Sequence, residues 1–228
     1  EFCKSSFTDL DLNRLSILLD CANGATYSVA PKVFSELGAN VETIGASPDG
    51  ININQNCGST SPNTLKEAII KGSYDIGIAF DGDGDRILIV NSDGDVLDGD
   101  DILYILSKEL PDNSGVVGTL MTNKALELYF QNEGIEFTRA DVGDKYVLQR
   151  LIERSWFLGG EPSGHIICLD SAPTGDAIVA ALKLLNATKD NGFSIEKSLE
   201  GFKKFPQTLI NLKVNNPNKI IISDKFWE

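Results

Sequence analysis

Hydrophobic and polar positions along this chain switch between a strand-like and a helix-like period, and the switches predict its elements. In "RLSILLDCANGATYSVAPKVFSELGANVETIG" the run Ile17 to Leu19 is continuously apolar. Val29, Val33, Phe34 and Leu37 then recur at helical spacing, and an LGAN turn leads into a second strand. The same grammar returns at "GVVGTLMTNKALELYFQNEGIEFTRADVGD": Val116 to Leu120 form a strand, Ala125, Leu126, Tyr129 and Phe130 a helical stripe, and EGIEF the next strand. Each copy continues through another helix to a strand that ends in a polar, glycine-rich loop, "YDIGIAFDGDGDR" in the first and "SWFLGGEPSGH" in the second. This repeat predicts two consecutive, similar α/β domains, residues 13–107 and 108–212. In such sheets ligands gather at the carboxyl ends of strands, where both loops lie.

Residues 1–12 read as a segment from a preceding domain or linker, and residues 213–228, including "VNNPNKIIISDKFWE", as a linker into a further domain. Because the chain opens on Glu1 rather than Met, it reads as a fragment. Between the two domains, "DGDVLDGDDILYILSKEL" predicts a hairpin turn at Ser92 to Asp95 and then a helix with Asp100 or Asp101 as its N-cap. Turn and cap chemistry accounts for Asp93, Asp95, Asp98, Asp100 and Asp101.

Composition narrows the function. The 228 residues carry a formal net charge of -13, which argues against a nucleic-acid partner, because such binding draws on clustered Lys and Arg. A phosphate bound here is expected to be small and held with a metal. Cys3, Cys21, Cys57 and Cys168 form no CxxC pair, so neither a zinc site nor a disulfide framework is indicated and a reducing compartment fits best. With no apolar run near the ~20 residues that span a bilayer and no secretory leader, no membrane partner is expected and the chain reads as cytoplasmic.

The first loop carries the strongest chemical signal. Asp81, Asp83 and Asp85 stand at i, i+2 and i+4, and Gly82 and Gly84 allow the backbone to curl until the carboxylates converge. At ~4 Å and an effective dielectric of ~20, each such like-charged pair costs about 4 kcal/mol, so a cation or proton must relieve it. Oxygen-only ligands select a hard ion, and three carboxylates with room for an outside ligand suit Mg²⁺. An EF-hand is excluded: counting from Asp81, Arg86 holds the sixth position instead of Gly and Ser92 the twelfth instead of Glu. The Arg86 guanidinium, next to these acids, suits a phosphate oxygen.

"GGEPSGH" offers a carboxylate, a hydroxyl and an imidazole within five residues. Glu161 can accept from sugar hydroxyls, and Ser163 can donate or accept. His165, the chain's one histidine, is either a satisfied structural residue or a proton carrier near neutral pH.

On these residues the chain resembles the α-D-phosphohexomutases, whose metal loop reads DGDGDR and whose sugar loop reads GE, a variable residue, then SGH. "DCANGATY", "GININQNCGST", "VGTLMTN", "VGDKYV" and "TGDAIVAAL" look most like the phosphoglucosamine mutase branch. The resemblance implies α/β/α sandwich domains with mixed sheets, the middle two of a four-domain enzyme whose phosphoserine and main phosphate loop lie in the other domains. It further implies Mg²⁺ on Asp81, Asp83 and Asp85, Arg86 bracing the phosphoserine, and Glu161 and Ser163 on the sugar hydroxyls. A sugar phosphate is the implied substrate, with a hexose 1,6-bisphosphate as intermediate and activator; pairing into a homodimer is left open. Asp144 and Lys145 are equally a loop-to-helix cap or a phosphate contact. Two residues depart from the family pattern: Pro162 stands where Gln or Met is usual, and Lys145 where Arg is frequent.

Two other readings compete. An aspartyl-nucleophile phosphatase of the haloacid dehalogenase type would use Asp81 as nucleophile and Asp83 as acid/base, but it expects Thr or Val at Asp85. Alternatively, the isolated chain binds metal and sugar phosphate without turning anything over.

Overall fold

The computed structural model describes residues 2–208 and 210. After a short helix α1 (Phe2–Ser5), the first unit comprises β1 (Ser16–Asp20), α2 (Ala30–Glu36), β2 (Asn40–Ile44), α3 (Asn63–Lys71), β3 (Ile76–Phe80), β4 (Ile87–Asn91) and β5 (Val96–Leu97). Its sheet has the order β2-β1-β3-β4-β5, parallel from β2 to β3 and antiparallel beyond. The second unit comprises α4 (Gly99–Ser107), β6 (Gly115–Thr119), α5 (Lys124–Glu133), β7 (Glu136–Ala140), α6 (Asp144–Arg154), β8 (Leu158–Gly160), β9 (Ile166–Cys168), α7 (Ala177–Thr188) and α8 (Ile195–Ser198). Its sheet, β7-β6-β8-β9, repeats the same sequence of parallel, parallel and antiparallel pairings. The mixed α/β/α architecture implied by the resemblance is the one observed.

Local chemistry explains where the elements start and stop. β3 (IGIAF) is buried at every position, as expected for a strand covered on both faces, so its apolar run is unbroken until Asp81. Asn123 caps α5 by accepting from the Ala125 N–H, and Gly134, at φ 70°, ends that helix in the left-handed region. The N-cap of α4 differs from expectation. It is Asp98, whose carboxylate accepts from the Asp100 and Asp101 N–H groups while Asp101 reaches back to the Asp98 N–H. Asp100 is instead turned into the protein, where Asn123 donates to it.

One hydrophobic core runs through both units, joining Leu19, Phe34 and Phe80 to Val116, Leu126, Phe130 and the apolar face of α7. Each fully buried phenylalanine contributes roughly 2–3 kcal/mol by leaving water. Helix α7 binds the units together, since it packs on β9 and on β4. Two features run across the boundaries read from the sequence. Phe7, Leu10 and Leu12, within the expected N-terminal segment, are buried in this core. Helix α4, within the expected first domain, packs on β8 and α7. The expected linker at 213–228 lies outside the described residues.

All four cysteines are free thiols, and burial pushes those of Cys21 and Cys168 up to about 12, which leaves them protonated and unreactive. Among the described residues no helix is long and apolar enough to cross a membrane.

Candidate functional site

The DGDGDR loop leaves β3 and folds around its own first carboxylate. Asp81 Oδ1 accepts three backbone N–H bonds, from Gly84 (3.1 Å), Asp85 (3.1 Å) and Arg86 (3.0 Å). Gly84 supplies the left-handed conformation (φ 81°) that closes this turn. The curl brings one oxygen from each of Asp81, Asp83 and Asp85 within 4.8 Å of one another. With Oδ1 of Asp81 saturated by amides, its Oδ2 is the atom left for a cation. Asp81 is buried, Asp85 half-buried and Asp83 exposed, so the cluster opens toward solvent on one side. Arg86 lies beside it, with Nε 3.9 Å from Asp81 Oδ2 and 3.9 Å from Asp85 Oδ1.

The floor of this loop belongs to the second unit. Gly84 accepts from the Ala177 N–H at the start of α7 (3.0 Å), and Ile87 donates to Gly164 in the other loop (3.0 Å). Arg86 and His165 form a backbone bridge. His165 itself is 3% exposed, with Nδ1 3.1 Å from Asp85 Oδ2 and Nε2 enclosed without a hydrogen-bond partner against Gly175. Such an imidazole orients a carboxylate. Its ring also forms part of the pocket wall between the two loops.

Across the cleft, Glu161 is also buried and accepts the Gly143 N–H at Oε1 (3.0 Å), which ties the GEPSGH loop to the turn that starts α6. A pocket of about 280 Å³ lies between the two loops, lined by Asp85, Arg86, Asp144, Glu161, Ser163 and His165 among others. Asp81, Asp83 and Lys145 do not line this pocket; the Lys145 ammonium lies 4.7 Å over the Tyr146 ring. Gly143, which sequence reasoning passed over, takes part through its backbone. The one signal for it was a glycine directly ahead of a helix, and here its φ of 128° excludes a side chain.

A hard divalent cation fits this donor set, which is all oxygen, converges from three side chains and leaves one side open. Asp20, buried at the end of β1, supports the site from behind by accepting from Ala22 (3.0 Å) and Gly58 (2.7 Å), which fixes the two loops flanking Gly82.

The comparisons with known proteins agree with this geometry. A family model described as phosphoglucomutase/phosphomannomutase, alpha/beta/alpha domain II, matches residues 3–94, and its domain III counterpart matches residues 98–205. The chain is 54% identical to a phosphoglucosamine mutase of Psychrobacter cryohalolentis over 94% of its own length and 48% of the relative's. It is 53% identical to one from Pseudomonas entomophila, over 100% and 54% respectively. It thus spans about half the length of the curated relatives it matches. Among solved structures, the fold matches Aspergillus fumigatus N-acetylphosphoglucosamine mutase, determined in complex with GlcNAc-6P and magnesium. That match has a TM-score of 0.73 at 20% identity and covers 97% of this chain and 56% of that one. None of these relatives points to an aspartyl-nucleophile phosphatase. The chain belongs to the phosphoglucomutase/phosphomannomutase family, the α-D-phosphohexomutases, and consists of that family's second and third α/β/α domains.

Proposed function

We propose that the whole protein is a phosphoglucosamine mutase, interconverting glucosamine 6-phosphate and glucosamine 1-phosphate through a phosphoserine and a bisphosphate, and that this chain supplies its metal and sugar loops. The observation that carries the reading is the convergence of Asp81, Asp83 and Asp85 beside Arg86, facing Glu161 and Ser163 across one pocket. The phosphoglucosamine mutase identities above support the amino sugar, and the fungal complex with GlcNAc-6P and magnesium supports the ligand classes. The protein works in the cytoplasm, where its free thiols stay reduced.

Mg²⁺, held by Asp81, Asp83 and Asp85, would neutralise negative charge on the transferring phosphoryl group. Arg86 braces the phosphoserine from beside the loop, where its donors are 46% exposed and available. The Gly143 N–H occupies one oxygen of Glu161, so the other is directed to a sugar hydroxyl, and Ser163 takes a neighbouring hydroxyl. Contacts of this kind tolerate the sugar in either orientation, which a hexose bisphosphate needs in order to present each phosphate in turn to the same serine. His165 acts on Asp85 and sets the direction of one ligand oxygen. Asp144, at the start of α6, lines the same pocket, and Lys145 beside it carries its ammonium over the Tyr146 ring.

The test is phosphorus NMR of the complete protein with Mg²⁺, glucosamine 6-phosphate and a trace of hexose 1,6-bisphosphate. A growing 1-phosphate resonance without free phosphate is the expected result. Asp83→Asn removes one ligand charge and is expected to weaken Mg²⁺ binding and to slow the interconversion by more than about 100-fold. Release of inorganic phosphate in place of the 1-phosphate would make Asp81 a nucleophile and the protein a phosphatase.

A further inference from the structure

Past α8 the chain returns to the first turns of α4 and α5 and is tied there by side chains. Lys204 Nζ lies 2.7 Å from Asp98 Oδ2 and 2.6 Å from Asp101 Oδ2. Phe205 donates its N–H to Asn123 Oδ1 (3.1 Å), while Asn123 Nδ2 donates to the Phe205 carbonyl (2.9 Å) and to Gln207 Oε1 (3.1 Å). Gln207 Nε2 in turn donates to the Met121 carbonyl (3.1 Å). The Asn123 N–H, finally, donates to Asp100 Oδ2 (2.7 Å). Thus three acidic side chains at the start of α4, Asp98, Asp100 and Asp101, all engage either this segment or the asparagine that grips it.

That same turn is the floor of the GEPSGH loop. Gly99 donates its N–H to the Pro162 carbonyl (3.2 Å), and a Cβ on Gly99 would lie 1.9 Å from the Glu161 carbonyl oxygen, far inside contact distance. Whatever shifts the first turn of α4 therefore shifts the backbone that carries Glu161 and Ser163.

Asp98 and Asp101 repel each other, and the ammonium of Lys204 is what bridges them. The bridge is partly sheltered, with Lys204 29% and Asp101 9% exposed at the side chain, so solvent screens it less than a surface pair. Burial works against the lysine's charge, yet its hydrogen bonds to Asp101 and Asp98 and their charges hold it above the usual lysine range.

We propose that residues 204–207 form a strap that holds the sugar loop in position from beneath, with Lys204 as its positioning residue. The proposal rests on the reading of Glu161 and Ser163 as sugar ligands, but the exchange test that decides the strap uses no substrate. Without the ammonium, the two carboxylates move apart, the first turn of α4 loosens and the Gly99–Pro162 hydrogen bond opens.

Amide hydrogen exchange of the full 228-residue chain, read by NMR, decides it. In Lys204→Met the Gly99 and Gly164 amides are expected to exchange at least about tenfold faster, with Ile89 in β4 and Val117 in β6 unchanged. Lys204→Arg restores slow exchange, because a guanidinium also bridges two carboxylates. Gln207→Ala loosens the strap at its other end and accelerates the same amides to a smaller degree. Unchanged exchange at Gly99 and Gly164, or an equal acceleration at Ile89 and Val117, would overturn the strap whatever the protein catalyses. In the complete protein, Lys204→Met is expected to raise KM for the sugar phosphate several-fold with kcat preserved. An unchanged KM would remove the strap's part in substrate binding.

Discussion

Asp100 is a buried carboxyl, 2% exposed, with one oxygen on the Asn123 N–H and the other without a partner. Burial, with a smaller push from Asp98, raises it to about 6, against the lowering effect of the Asn123 N–H. The sign of the consequence follows from linkage. The folded state keeps this proton up to about pH 6 and the unfolded chain loses it near pH 4, so the group favours folding below pH 4 and that benefit disappears as pH rises through 6. Fully ionised, it costs up to about 3 kcal/mol. Asp100→Asn keeps an acceptor for Asn123 and removes the charge. Its melting temperature should exceed the parent's at pH 8, with the difference closing toward pH 4. A pH-independent difference, or none at pH 8, would contradict this account. His165 makes the complementary point about legibility. A lone histidine in a sequence does not say which of its nitrogens is satisfied, and only packing shows Nδ1 beside Asp85 and Nε2 enclosed against Gly175.

The first turn of α4 joins three functions in one element: capping, gripping the strap and supporting the sugar loop. Its capping box was half visible, since "DGDD" contains both members, but Asp98 rather than Asp100 or Asp101 took the N-cap, with its carboxylate accepting from the Asp100 and Asp101 N–H groups, and Gly99 after it packs against the Glu161 carbonyl. That close approach makes a prediction specific to this element. Gly99→Ala forces a methyl group into backbone that cannot move away cheaply and should destabilise the chain by roughly 2–4 kcal/mol in urea unfolding. Gly134→Ala, at the left-handed end of α5 with open space around it, should cost only about 1 kcal/mol from backbone conformation. Equal losses in the two variants would show that the α4 contact is slack. By contrast, the helix-and-strand rhythm of both units was legible, from a periodic apolar face in helices such as α5 and from unbroken apolar runs in buried strands such as β3.

Across the whole molecule, the two sheets repeat one topology, yet they do not stand apart. The core runs from Leu19 and Phe34 through α7 to Phe130, and the metal loop rests on Ala177 and on the Ile87–Gly164 bond. A core shared in this way predicts a single cooperative unfolding transition in urea, with fluorescence of Trp156, in the second unit, coincident with far-UV circular dichroism. Two separated transitions would mean that the units fold independently and that the contacts between loops form only afterwards.

The sequence by itself determined the elements, the repeat and the acidic loop. Strand and helix periods are local properties, and the glycines between the three aspartates at a strand end let their carboxylates converge within one short loop. It also pointed to the loop of Glu161 and Ser163, which lies at the matching strand end of the second copy and lines the same pocket as Asp85 and Arg86. Tertiary structure alone decided what each group touches. It set His165 beside Asp85, brought the Gly143 N–H to Glu161 and carried Lys204 across about 100 residues to Asp98 and Asp101. These contacts join residues far apart in the sequence, and that of His165 joins the two units, so no local pattern of residues encodes them.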